Sequence, residues 1–204
     1  MEKIYDTLKT GYNDKGECPN QVPRIDTIYG EITSNGVKTL VNSINFKDKH
    51  FLDIGSGIGK AVVQIALETD VKSSTGYEII PARFNISCQA KKKYDQLITS
   101  LSGSKVRFIL NKHPGKACQF HHGQLDLSYY NIYFINNLTW SSTTTNQLID
   151  TLLATVEIGT TIILAKEISR LDKISKISNL EVEMSWTNKY TLTIYTITIK
   201  PTVL

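Results

Sequence analysis

A chain of 204 residues, 41% apolar and without a hydrophobic run of membrane-spanning length, is expected to form one soluble globular domain with an ample core. Its three cysteines, Cys18, Cys88 and Cys118, are odd in number and far apart, with no Cys-x-x-Cys pair, which argues against a disulfide framework or a zinc site. The net charge of +4 and pI near 8.8 lean toward an anionic partner but leave open a merely solvated surface.

The opening Met1-Glu2-Lys3-Ile4-Tyr5-Asp6 has neither the basic start nor the apolar core of a secretion signal, so an intracellular location is expected. Residues 1–28 are polar and punctuated by Gly11, Gly16, Pro19 and Pro23, and read as an irregular segment wrapping a core that spans residues 29–204. Tyr29-Gly30-Glu31 then forms a turn, and Val37, Leu40, Val41 and Ile44 at helical spacing predict an amphipathic helix.

Phe51-Leu52-Asp53-Ile54 reads as a buried strand that breaks into Gly55-Ser56-Gly57-Ile58-Gly59, after which Lys60 to Leu67 resumes as a helix. Glycines at alternate positions adopt backbone angles closed to other residues and let a ligand approach the main chain. About 23 residues after Asp53 comes Gly76-Tyr77-Glu78, where an acid at the tip of the next strand could accept hydrogen bonds from both hydroxyls of a ribose. Together the two pieces point to an adenosine-type ligand. Dinucleotide enzymes and S-adenosylmethionine enzymes share this pattern. Asp53, two residues ahead of Gly55, gives the Asp-x-Gly-x-Gly-x-Gly form that resembles the first motif of class I methyltransferases.

Pro81 at a first helical turn opens a helix to about Ser100 carrying Lys91-Lys92-Lys93. Two segments compete for the third strand, Val106 to Leu110 and Ala117 to His121, separated by His113-Pro114-Gly115; the second is preferred because its end, His122-Gly123-Gln124, falls where an adenine-edge residue would stand. Ile132-Tyr133-Phe134-Ile135 is a clear fourth strand that stops at Asn136-Asn137. A helix from about Asn146 to Thr155 and a fifth strand from Thr160 to Ala165 follow. Glu181 to Trp186 and Tyr190 to Lys200 then read as a hairpin around Asn188-Lys189.

These pieces, in this order, resemble the Dot-one-like (disruptor of telomeric silencing) lysine methyltransferases. The matching motifs are Tyr29-Gly30-Glu31 as a flap, Phe51 to Gly59 with Gln64, Gly76-Tyr77-Glu78 with Pro81-Ala82, Asn136-Asn137-Leu138 against Asn-Asn-Phe, and Ser185-Trp186-Thr187 against Ser-Trp-Thr. The resemblance implies a Rossmann-like class I methyltransferase: an α/β fold with a seven-stranded, mostly parallel sheet closed by a C-terminal antiparallel hairpin. It implies S-adenosylmethionine as cofactor, S-adenosylhomocysteine as product, and a lysine of a histone in the nucleosome core as substrate. Tyr29, Glu31, Asp53, Gly55, Ser56, Gly57, Gly59, Gln64, Glu78, Gln124 and Asn136 are then the expected cofactor residues, and Asn136, Trp140 and Trp186 the catalytic ones. No metal is expected. The chain departs from the family at Gly123-Gln124-Leu125, where the family has Gly-Asp-Phe, and neither Tyr190 nor Tyr195 aligns without a gap with the family's channel tyrosine.

Methyl transfer to an amine needs alignment, a desolvated path and a neutral nucleophile. A lysine whose free pKa is about 10.4 loses its proton more readily in an apolar channel, which Trp140 and Trp186 are expected to line. Non-specific DNA contact, a monomeric state, no membrane association and a nuclear location in a eukaryote, otherwise cytoplasmic, complete the expectations. The alternative is an amino methyltransferase acting on another basic protein, a nucleobase or a small molecule.

Overall fold

The computed structural model describes residues 30–100, 107–112, 125–168 and 174–199. Among these, α1 (Ser34–Ser43) leads into β1 (His50–Ile54), α2 (Lys60–Glu68), β2 (Ser73–Glu78), α3 (Pro81–Ser100) and β3 (Arg107–Lys112). A 3-10 turn (Leu127–Tyr129), β4 (Ile132–Ile135), α4 (Ser142–Thr155), β5 (Thr161–Leu164), β6 (Ile174–Met184) and β7 (Thr187–Ile197) follow. The strands form a seven-stranded sheet in the order β3-β2-β1-β4-β5-β7-β6. Pairing is parallel from β1 to β5, whereas β7 runs antiparallel to both β5 and β6. The chain order reverses between β1 and β4, and the carboxyl ends of such neighbouring strands open a crevice.

Period-two alternation sends successive side chains to opposite faces and builds two cores. Phe51, Ile132, Phe134, Ile163, Leu192 and Ile194 pack on one face with Val37 and Leu40 of α1, Val62, Val63 and Ile65 of α2, and Ala90 and Tyr94 of α3. Leu52, Ile54, Tyr133, Ile135, Ile162, Leu164 and Tyr195 pack on the other with Leu148, Ile149 and Leu152 of α4. Because nearly all these strand positions are buried, the central strands read as continuous apolar runs rather than alternating ones.

Two expectations are corrected. The strand beside β2 is the earlier candidate, paired from Ser73↔Arg107 to Glu78↔Lys112, while the preferred segment Ala117 to His121 lies outside the described residues. The first apolar run after α3 takes the open edge of β2. The hairpin turns at Ser185-Trp186, not at Asn188-Lys189, and β6 begins at Ile174, well before Glu181. Its register closes at Met184↔Thr187, with shifts between Lys176 and Ser178 and between Val182 and Met184. Smaller differences are that α4 starts at Ser142, where Ser141 caps it by accepting from Thr144 N at 3.0 Å, and that the fifth strand is a residue shorter at each end.

The segment before α1 is sewn to the tip of this hairpin. Thr33 N donates to Glu183 O at 3.1 Å, Ser185 N to Glu31 O at 2.8 Å, and Ile32 bridges Met184 in antiparallel fashion. Helix α1 then approaches so closely that a Cβ on Gly36 would stand 2.2 Å from Glu183 O. In an open helix, Gly→Ala stabilises by about 1 kcal/mol. Here the clash is with backbone, so Gly36→Ala is expected to destabilise by about 1–3 kcal/mol. Urea unfolding checks this, and an unchanged or higher midpoint contradicts the packing described.

Candidate functional site

A cleft opens over the carboxyl ends of β1 and β4, lined by Gly30, Glu31 and Ile32 of the entry segment, Asp53, Gly55, Ser56 and Gly57 of the loop, Lys60 and Ala61 of α2, and Phe134 and Asn136 of β4 and its end. The loop needs its glycines. Gly55, Gly57 and Gly59 have φ of 84°, 56° and 85°, the left-handed region that side chains disfavour. Gly59 starts α2 without a side-chain cap, so the first N–H groups of that helix face the loop end.

Glu78 fixes the loop to the second strand. One carboxylate oxygen accepts from Gly57 N at 2.8 Å and the other from Ile80 N at 2.7 Å. Each oxygen keeps a further lone-pair direction for a hydroxyl donor. Burial raises the Glu78 carboxyl above its usual range even though the Ile80 and Gly57 N–H groups and the Arg83 charge oppose the shift. Asp53 is held well above the usual carboxylate range, by burial first and then by the Glu78 charge.

The paired asparagines divide their work. Asn137 is fully buried, accepting from Lys166 N at 2.8 Å and donating to Lys166 O at 3.2 Å, so it splices the end of β4 to the segment after β5. Asn136 donates through Nδ2 to Gly30 O at 2.8 Å, while its buried Oδ1 has no partner. That oxygen belongs to a cleft-lining residue and is a buried acceptor whose need the protein does not meet. Ser56 Oγ in the same cleft is likewise buried without a partner.

Each tryptophan stands against a cleft glycine. A Cβ on Gly30 would meet Trp186 Cζ3 at 2.5 Å, and one on Gly55 would meet Trp140 Cζ2 at 3.6 Å. Trp186 is 42% exposed and meets Tyr190 edge to face at 5.6 Å, and Tyr190 donates its hydroxyl to Ala165 O at 2.8 Å. Tyr190 thus joins the tryptophan through space, which an alignment by sequence spacing could not find. Gln64 is placed elsewhere. Its amide donates to Ser34 O at 2.9 Å and to Glu68, tying α2 to the start of α1 one helical turn beyond the lining residues Lys60 and Ala61. Tyr29 and Gln124 lie outside the described residues. Sequence reasoning passed over Lys60, whose ammonium meets Glu31 Oε1 across the cleft at 2.8 Å. Its place directly after the third glycine was the available signal.

Among the described residues no three His, Cys, Asp or Glu side chains gather as metal ligands, and no helix is long and apolar enough to cross a membrane.

Two substitutions test this geometry. Asn137→Ala strands the Lys166 N–H and C=O and is expected to cost about 1–3 kcal/mol of stability in urea unfolding; no loss contradicts the splice. A raised folded-state pKa means that Asp53 costs stability in full at pH above that value, and that the cost shrinks as pH falls from it toward the free carboxylate range. Asp53→Asn should therefore raise the thermal midpoint at pH 7, by about 2–4 °C per kcal/mol relieved in a chain of this size, with a smaller gain at pH 4. Equal midpoints at pH 7 contradict the buried-charge reading.

The fold has many relatives among solved structures. An RNA methyltransferase from Salinibacter ruber, in complex with S-adenosyl-L-homocysteine, superposes with a TM-score of 0.61 at 14% identity, covering 84% of this chain and 96% of that one. TrmK of M. capricolum, with the same product, gives 0.56 at 13% identity over 83% and 70% of the two chains. The magnesium protoporphyrin IX methyltransferase of Synechocystis, with the cofactor bound, gives 0.53 at 12% identity over 79% and 76%. At such identities the likeness concerns the fold. The cleft fits S-adenosylmethionine, because the glycine loop leaves the main chain open to approach, and Ser56 Oγ and Asn136 Oδ1 are buried oxygens that lack partners within the protein. The model of the histone methylation protein DOT1 family matches residues 22–199. The chain belongs to that family and is an S-adenosylmethionine-dependent methyltransferase.

Proposed function

We propose that the chain is a protein-lysine N-methyltransferase whose substrate is a lysine of a histone presented in the nucleosome. The observation that carries the reading is the buried, partnerless Oδ1 of the cleft-lining Asn136, whose amide is fixed from the other side by the 2.8 Å bond to Gly30 O. Membership of a histone-methylating family supports the choice of protein.

In this reading Glu78 holds the ribose, the loop from Asp53 to Gly59 passes under the methionine, and Glu31, Ser56 and Asn136 complete the cofactor contacts, with Tyr29 and Gln124 assigned to the flap and the adenine edge. S-adenosylmethionine, when bound, supplies an electrophilic methyl group on a sulfonium centre. Asn136 Oδ1 accepts an N–H of the incoming lysine amine and points its lone pair along the line of displacement. Trp186, with Tyr190 against its edge, and Trp140 give apolar walls that disfavour the ammonium form, so the amine sheds its proton to water before attack. With the cofactor held there, Asn136 would align the amine with its methyl group, so that the new N–C bond would form as the C–S electron pair left with sulfur. No dedicated base is needed.

The DNA of a nucleosome adds an electrostatic contact that weakens with salt. Within Lys91-Lys92-Lys93, Lys91 is paired with Asp95 at 2.5 Å and Lys92 is exposed, so the run offers less free charge than its sequence suggests. Action in the nucleus follows if the source is eukaryotic, and in the cytoplasm otherwise.

Labelled methyl groups should appear on intact nucleosomes, more weakly on free histones and on histone peptide, and not on tRNA or DNA. Asn136→Ala should lower the rate by about 100-fold while cofactor affinity changes far less. Labelling of tRNA or DNA in preference to nucleosomes, or an unaffected rate in Asn136→Ala, overturns the reading.

A further inference from the structure

Glu31 and Lys60 approach the cleft from different parts of the fold. Glu31 comes from the entry segment sewn to the hairpin tip, with its N–H donating to Ser185 Oγ at 3.1 Å and its carbonyl accepting from Ser185 N at 2.8 Å. Lys60 is the first residue of α2. Their charged ends meet at 2.8 Å, with side chains 23% and 18% exposed for Lys60 and Glu31, and both residues line the cleft.

This placement is costly for the lysine. A helix N-terminus carries a partial positive charge and favours anions, so a cation in its first turn opposes the dipole. Gly59 supplies no side-chain cap to the N–H groups there. Burial pulls the Lys60 ammonium down to about 8. A lysine so placed gains from an anion in the cleft, and within the protein Glu31 Oε1 is such a partner. Ser56, a lining residue of the same cleft, carries a second buried polar atom, Oγ, without a partner in the protein.

We infer that the Glu31–Lys60 ion pair is exchanged on cofactor binding: the pair opens, Glu31 takes the α-ammonium of the methionine end and Lys60 its α-carboxylate. The inference rests on S-adenosylmethionine occupying this cleft. The ligand's amino-acid end is a zwitterion, so exchange converts one partly screened ion pair into two pairs of opposite charge. The carboxylate also meets the start of α2, whose partial positive charge favours an anion. Lys60 becomes a specificity residue that rewards the carboxylate. Without that carboxylate, a ligand must compete with Lys60 for Glu31.

Calorimetry with three probes separates these terms: S-adenosylhomocysteine with both charges, its decarboxylated amine with the ammonium alone, and 5′-methylthioadenosine with neither. Lys60→Met should weaken S-adenosylhomocysteine by about tenfold, the loss of one charge-assisted contact. The same change should leave methylthioadenosine unchanged and bind the decarboxylated amine as tightly as the wild-type chain or more so, because Glu31 is then free of its competitor. Lys60→Arg, which keeps the charge, should restore most of the affinity for S-adenosylhomocysteine. Equal weakening of all three probes, or an unchanged ratio of S-adenosylhomocysteine to methylthioadenosine affinity in Lys60→Met, overturns the exchange while leaving the cofactor assignment intact. A wild-type chain that binds none of the three overturns both.

Discussion

The short seam between residues 31–33 and 183–185 is the contact on which the site depends. Three backbone-level links, Thr33 N to Glu183 O, Ser185 N to Glu31 O and the Ile32–Met184 bridge, join two parts of the chain about 150 residues apart. Closing so long a loop has an entropic cost that grows only slowly with length, and the apolar burial of Ile32, Val182 and Met184 against α1 offsets it. The consequence is positional. The seam sets Gly30 beneath Trp186, aims Glu31 at Lys60 and leaves the Gly30 carbonyl where Asn136 can hold it. Without the seam the glycine loop would still end β1, but the cleft would lack its second wall.

Against that gain stands the cost of buried acids. Asp53 and Glu78 are only 4% and 3% exposed, and burial raises both carboxyls. Glu78 offsets part of the penalty with two backbone N–H donors, and Asp53 is further opposed by the Glu78 charge. A ligand offering hydroxyl or ammonium donors would supply partners that the protein withholds. Stability forgone in the free state is available to binding, a trade that recurs where polar groups serve a ligand rather than the fold.

Much of this was legible in the sequence, for identifiable reasons. A strand buried on both faces, then an acid and three alternating glycines, has few other meanings, and β1, its loop, the tip of β2 and the stop of β4 at Asn136 stand where the pattern puts them. The third strand was not legible, because two short apolar runs split by His113-Pro114-Gly115 carry the same local signal and only pairing with β2 distinguishes them. The hairpin turn was misplaced for a related reason. Asn188-Lys189 has the better turn chemistry, but the Met184↔Thr187 register and the Ile32 bridge hold β6 and β7 together past it. Gln64 shows the limit of motif matching on a helix. Spacing brings it near the loop in sequence, yet its side chain faces Ser34 and Glu68, while Lys60, one turn earlier, reaches the cleft.

The fold leaves the substrate open, as solved relatives of similar architecture include an RNA methyltransferase and a magnesium protoporphyrin IX methyltransferase. What bears on the substrate is local: the oriented Asn136, the Trp186–Tyr190 edge contact and the acid–lysine pair in the cleft. A crystal structure of the chain with S-adenosylhomocysteine bound tests their arrangement most directly. Expected is the ligand's amino-acid end between Glu31 and Lys60, its ribose at Glu78, and the Asn136–Gly30 hydrogen bond intact, with Oδ1 facing the sulfur side. Ligand seated outside the cleft, or an Asn136 released from Gly30 with its Oδ1 turned into the protein, would contradict it.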